Sequence, residues 1–424
     1  MHFIRQLFNP PSTPKEYRRN FFHLYMDIAW FGILNGSAIN FLNIYAARLG
    51  ASGFQIGLLG AVPALVSLFL SIPTGVWLTR RPITKAVFWT AALSRLGYLL
   101  WIPLPWLFKA QGQIWALIVI TLLMGIPLCG LNVGFTTLFA MAVPTEWRSS
   151  VAGIRNAMLS ITFMLTSLGV GYLLDHLPFP IGYQIVFGIG FLGGLMSTAN
   201  LFFIRPIPSS EAVDQTGSAK KTAGQDKTGW RSTLRLDIWR SPYAKILLVF
   251  MGFHLTQYLA LPLFPLFTVN SMHLNDAEIG IGTAIFYLTM LIGSTQLKAI
   301  ERWIGHQKIT GWGVTGMALY PIMMAFSHNA FHYYLLSAVG GFVWAMVGGA
   351  YANYLLECIP PADRPSHLAW YNLVLNACVL VGSLAGPLLS SLAGLRSALL
   401  IAGILRGLAG IAILEWGGSI QKFG

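Results

Sequence analysis

Charge is what this sequence has least of. Lys, Arg, Asp and Glu together make up 10% of its 424 residues, against about 25% in an ordinary soluble domain. Acid is scarcer still, with only 14 Asp and Glu residues in the chain. A soluble protein of this length could not cover its surface with so few, so most of this one faces something other than water. Cysteine is nearly absent as well. Cys129, Cys358 and Cys378 form no CxxC pair and no metal-spaced cluster, which removes disulfide scaffolds, zinc ribbons and dithiol redox centres. They read as small apolar packing residues. There is no HExxH, no GxSxG and no pair of carboxylates at one depth, so no enzyme, metal or cofactor is expected. A polytopic membrane enzyme or sensor stays open only as an alternative from another class.

What the chain does have is apolar length. Hydrophobic residues make up 55% of it, aromatics 13%, and there are 44 glycines. Runs of about twenty apolar residues, the number that crosses a bilayer, recur at about 21–46, 54–78, 86–108, 113–141, 151–175 and 180–204. A second set falls at about 244–268, 278–298, 310–327, 331–356, 367–392 and 396–416. The reading is an all-α integral membrane protein of twelve spanning helices. No small-residue cleavage site closes off the first run, so it is expected to stay as an anchor.

The net charge of +13 raises the question of nucleic acid. Placement excludes it, because the basic residues alternate with the apolar runs instead of forming one patch. With the N-terminus inside, 22 of the 27 lie in cytoplasmic segments and three outside, with Arg95 and Arg406 within spans. That sets a multi-pass topology in the cell membrane with both termini cytoplasmic. A polar stretch at 206–242 separates residues 1–205 from 243–424. Its second part, Trp230 to Trp239, has Trp230, Leu234 and Ile238 at helical spacing, either an interfacial amphipathic helix or an ordinary linker.

The two halves repeat each other. Leu49-Gly-Ala-Ser-Gly-Phe-Gln-Ile-Gly57 follows span 1, and His273-Leu-Asn-Asp-Ala-Glu-Ile-Gly280 follows span 7. Pro144, Arg148, Asn156 and Ser167 match Pro360, Arg364, Asn372 and Ser383 at one constant offset. Such a duplication of six-span units is parallel, with both copies entering from one side.

At these residues the chain resembles the major facilitator superfamily. The six-plus-six layout, the long basic central loop and the short basic loops after spans 2 and 8 carry the resemblance. The loop signature after span 2 stands here as Gly75-Val-Trp-Leu-Thr79-Arg80-Arg81 followed by Lys85, with Thr79 where the family usually has Asp. Its second copy is Glu301-Arg302-Trp-Ile-Gly305-His-Gln-Lys308, and Arg148 and Arg364 sit in the P-x-x-x-R loops after spans 4 and 10. The resemblance implies two six-helix bundles, gating at those basic loops, and a central cavity lined by spans 1, 4, 7 and 10. It further implies a secondary transporter that moves a small organic solute by alternating access, as a monomer. Proton-linked export is placed first, and uptake of a neutral solute such as a sugar is the alternative.

On those four spans the candidate solute-binding residues are Asn40 and Asn43, Asn132 and Thr136, His254 and Gln257, and Trp344, Tyr351 and Asn353. Neutral amides with aromatics suit hydroxylated or amphiphilic neutral solutes. Ionisable groups inside spans are costly and need a partner or water. Asp27, roughly 10 Å deep, and Arg95, roughly 15 Å deep, are expected to pair. The pair is either a proton-coupling site or a structural clamp. His254 is the second candidate proton carrier. Arg406 has no acid at its depth, so backbone carbonyls are its expected partners. Gly382-Ser-Leu-Ala-Gly386-Pro387 is like an export signature of the family but lies in span 11, where a small-residue crossing explains it.

Overall fold

The computed structural model describes residues 15–207, 235–360 and 363–418. Within them the chain makes twelve helical passages. Helix α1 has three parts: Lys15–Leu34, a π-helical turn at Asn35–Ile39, and Asn40–Arg48. Then come α2 Gly53–Thr79, α3 Ile83–Trp101, α4 Ala110–Ala142, α5 Thr145–His176 and α6 Ile181–Phe202. The second half opens with α7, made of Tyr243–Ala260, Leu263–Leu266 and a π-helical turn at Phe267–Ser271. It continues with α8 Asp276–Ile304, α9 in two pieces (His306–Met317 and Leu319–Ala325), α10 Ala330–Glu357, α11 Arg364–Ala393 and α12 Leu395–Trp416. Nine of these are long and apolar enough to cross a membrane by composition alone. The other three are α1, α3 and α9. The first two carry buried charge, and the last is divided at Ala318. The fold is two six-helix bundles, and large side chains such as Leu100, Leu123, Leu388 and Leu408 remain exposed on the outside where lipid covers them.

The duplication is visible in how helices start. Ser52 Oγ accepts from the Gln55 amide while Gln55 Oε1 accepts from the Ser52 amide, at 3.3 and 2.9 Å. Asn275 and Glu278 do the same at 2.7 and 2.9 Å. Both are capping boxes, which satisfy amides that a helix start leaves bare. Each sits in the repeated turn and fixes where α2 and α8 begin. Both α1 and α7 also contain a π-helical turn, but at different places, Asn35–Ile39 in mid-helix and Phe267–Ser271 at the helix end; such widened turns occur mostly at functional sites.

Packing differs between the two ends of the molecule. At the end of the 49–52 and 272–275 turns, one apolar core runs through both halves, joining Tyr45 and Ile56 to Phe267, Ile279 and Leu336. Toward the termini the cores separate. One holds Phe21, Val87, Leu138 and Leu201 of the first half, and another holds Phe250, Val347, Tyr354 and Tyr371 of the second. The halves meet through α2 on α11 and α5 on α8. Both crossings use the glycine of the repeated Ile-Gly pair. A Cβ on Gly57 would lie 2.3 Å from the Ser383 carbonyl oxygen, and one on Gly280 would lie 2.6 Å from that of Ser167. Ser167 and Ser383 are themselves repeat partners. The bundles are closed on each other at this end by backbone-to-backbone contact.

Two expectations need correction here. Arg155 is among the 22 basic residues that the sequence places in cytoplasmic segments, but α5 starts at Thr145, which puts Arg155 about 15 Å into the helix, where it is buried. The stretch before α7 is no amphipathic helix in its described part. Trp230 to Leu234 lie outside the described residues. From Arg235 the chain takes a left-handed residue and a single 3-10 turn, Leu236–Arg240. That turn is pinned to α11 by Arg235 on Asp363 at 2.9 Å and by Trp239 edge-on to Trp370. Arg235 also donates to Asp237 and thereby holds that exposed carboxyl below the usual carboxylate range.

Candidate functional site

A cavity of about 550 Å³ lies below the shared core, between α1 and the second half. Of the nine residues proposed from sequence as solute-binding, it brings together six: Asn40, Asn43, His254, Gln257, Trp344 and Tyr351. Asn132 and Thr136 of α4 and Asn353 of α10 stand outside it, exposed. For Asn353 the reason is helical phase. Two residues beyond Tyr351 it points some 200° round the axis.

Sequence reasoning missed the aromatic wall. Tyr258 and Phe264 of α7, Phe286 and Tyr287 of α8, Tyr320 of α9 and Tyr333 of α10 all line the cavity. The signal was present in α8, where Gly282, Thr283, Phe286 and Tyr287 recur at one-face spacing. It was passed over because the family inference singled out α1, α4, α7 and α10.

The polar groups on this wall are incompletely used. Asn40 Nδ2, Asn43 Oδ1, Gln257 Oε1 and Arg406 Nε are buried and have no hydrogen-bond partner. Buried polar atoms are normally paired, so bare ones gathered around one cavity mark where a solute or water binds. His254 is different. One ring nitrogen lies 2.8 Å from the Tyr371 hydroxyl, and its ring is packed by Phe250 and Phe253. Among the described residues, no Asp or Glu lines the cavity.

Arg406 is fully buried on α12. Its guanidinium donates to the Thr256 and Gln257 carbonyls at 3.2 and 3.0 Å and more distantly to Met317 O. Carbonyl partners were expected for it; a place on the cavity wall was not.

Asp27 does not take Arg95 as its direct partner. Arg155 donates to Asp27 Oδ2 from both terminal nitrogens at 3.2 Å, and Ser197 donates to Oδ1 at 2.5 Å. Arg95 donates instead to Thr198 Oγ1 at 2.5 Å and lies over the Phe31 ring. The cluster ties α1, α3, α5 and α6 into one body. It is buried inside the first bundle and forms no part of the cavity wall.

The loop residues lie at the end where the cores are separate. Arg80 and Arg81 are exposed in the turn between α2 and α3, Lys85 is exposed in the first turn of α3, and Thr79 donates to its own helix at Val76 O. Arg148 donates to the Ala140 and Val143 carbonyls and so closes the C-terminus of α4. Glu301 lies 3.2 Å from His306, which is also 3.4 Å from Glu357 on α10. Arg302 and Arg364 are exposed. At the opposite end one ion pair spans the halves: Arg48 of α1 reaches Asp276 of α8 at 3.0 Å and the Leu274 carbonyl at 2.6 Å.

Comparison with known proteins adds a frame. The family model described as Major Facilitator Superfamily matches residues 28–275 and 246–417. The cis,cis-muconate transport protein of Acinetobacter baylyi is 24% identical over 246 residues, 55% of this chain and 55% of that one. The chain thus spans about half the length of that curated relative. Among solved structures, the nucleoside transporter NupG matches with a TM-score of 0.65 at 13% identity, covering 94% of this chain and 98% of that one. The inward open conformation of the xylose transporter XylE from E. coli matches with a TM-score of 0.70 at 13% identity, covering 94% and 96%.

Proposed function

The chain belongs to the major facilitator superfamily, and on that premise we propose that it carries a small organic solute across the cell membrane by rocking residues 1–205 against 243–424. It is a multi-pass membrane transporter and not an enzyme. One observation carries the proposed mechanism. A cavity with bare polar atoms on its wall lies between bundles that share a core at one end and part at the other. The basic loops lie at the parted end, which by the positive-inside rule is cytoplasmic. On that orientation we read the shared core as the outer seal and the arrangement as inward-facing. The exposed amides of Asn132 and Asn353 support this orientation, because in a spanning helix they need water rather than lipid. A single chain supplies the whole cavity, so the transport unit is read as a monomer.

Proton coupling is assigned to His254. Asp27 is held by Arg155 and Ser197 away from the cavity, whereas His254 borders it and is hydrogen-bonded to Tyr371. Export and uptake use the same cycle. The relative's cargo is muconate and those of the two structural neighbours are nucleosides and xylose, which leaves the substrate class to the chemistry of this cavity.

The test is a lock. A Cβ at Gly60 would lie 3.8 Å from Ser383 Cβ, close to the separation a disulfide needs. The double variant Gly60→Cys/Ser383→Cys, reconstituted in vesicles, should stop solute flux when oxidised and regain it on reduction. Flux that continues through the oxidised protein contradicts the rocking mechanism.

A further inference from the structure

The wall of the cavity carries one permanent charge and nothing to oppose it. Arg406 is fully buried, no Asp or Glu among the described residues lines the cavity, and the partners of its guanidinium there are three backbone carbonyls. Carbonyls satisfy N–H groups but leave the charge in place, and a buried charge is costly unless it is paired. The other buried arginines among the described residues, Arg155 and Arg95, differ, as does half-buried Arg48. Arg155 has Asp27, and Arg95 lies near the same carboxylate. Arg48, at the outer seal, has Asp276. Arg406 alone among these meets no carboxylate, and it alone borders the cavity, with its Nε–H bare.

We infer that the solute is an organic carboxylate and that it brings the counter-ion Arg406 lacks. Its charged head would accept from Arg406 Nε, a charge-assisted bond stronger than a neutral one. The body would lie against Tyr258, Phe264, Phe286 and Tyr320. Asn40 Nδ2 and Asn43 Oδ1, across the cavity on α1, supply a donor and an acceptor for a second polar group. Placing the two ends of one solute on α1 and α12 links the bundles through the cargo itself. This departs from the neutral solute that the amides alone suggested. It rests on the cavity being the solute site of the proposed function.

The experiment compares isosteres that differ only in charge. Purified wild-type protein in detergent is heated with benzoate or benzamide, and with adipate or adipamide, and its melting temperature is read against concentration. Each carboxylate should bind about tenfold tighter than its amide, the difference a charge-assisted bond makes. In Arg406→Gln the preference should vanish, and in Arg406→Lys it should persist in weaker form. The wild-type pairs alone decide the matter where the variants do not fold. Equal protection by amide and carboxylate, protection by neither, or a carboxylate preference surviving in Arg406→Gln each overturns the inference. Reversible locking of a neutral solute's flux in the Gly60/Ser383 double variant would then still uphold the carrier, so the two failures are distinguishable.

Discussion

A carboxylate with two hydrogen bonds from an arginine and one from a serine, all buried, is a clamp. Asp27 sits between Arg155 on α5 and Ser197 on α6, and removing its charge strands a guanidinium inside the bundle. Asp27→Asn should therefore cost about 3–5 kcal/mol of stability, seen as a lower unfolding midpoint in detergent. Asp27→Asn/Arg155→Gln should recover most of that loss. An Asp27→Asn protein as stable as the wild type, with flux that no longer responds to a pH gradient, would return Asp27 to the coupling role. Sequence reasoning saw that Asp27 must be buried and paired, yet chose Arg95. The error lay in where α5 begins: a start near 151 leaves Arg155 in the first turn, at the cytoplasmic mouth of the helix, and the true start at Thr145 carries it nearly three turns in, to the depth of Asp27. Arg406 was judged rightly for its bonds and wrongly for its surroundings, because no sequence pattern tells which face of α12 meets a cavity.

Among elements, the crossings of α2 on α11 and α5 on α8 hold the seal. The first depends on Gly57 and the second on Gly280 with Gly171, each so close to the opposite backbone that no side chain fits. Gly280→Val should cost the sealed state about 1–3 kcal/mol, the usual penalty for overpacking. The balance would move toward the state opened at that end, and a cysteine placed at Tyr287 would then react faster with a membrane-impermeant maleimide added from outside. An unchanged rate would show that the crossing is not the seal. The native thiols do not interfere. Cys129 and Cys378 are buried, and burial pushes Cys358 up to about 12, leaving almost no reactive thiolate at neutral pH. This level of the structure was largely readable in advance. The apolar runs located all twelve passages, and the repeated turns marked where α2 and α8 start, though neither the capping boxes nor the close contacts of Gly57 and Gly280 were read from them. What could not be read was local and cooperative: the π-helical turns of α1 and α7, the division of α9, and the 3-10 turn where a longer amphipathic helix had been one option. Each of these depends on what packs against it.

At the scale of the whole molecule, the central claim is that two rigid bundles exchange closure between their ends around one cavity. In the closed end Arg48 and Asp276 tie α1 to α8, and the shared core adds apolar contact behind them. The parted end has its cores in separate halves. Spin labels on cysteines replacing exposed Arg81 and Arg302 would report the parted end, and labels replacing exposed Phe179 and His328 the sealed one. Pulsed dipolar distances from these two pairs, measured with and without a solute that stabilises the protein, test the claim most directly. Substituting Arg48→Gln should move them in the direction of opening at the seal even without solute. The account predicts opposite changes, with the Arg81–Arg302 distance shortening as the Phe179–His328 distance lengthens. Distances that rise and fall together, or that ignore both the solute and the loss of Arg48, would contradict it.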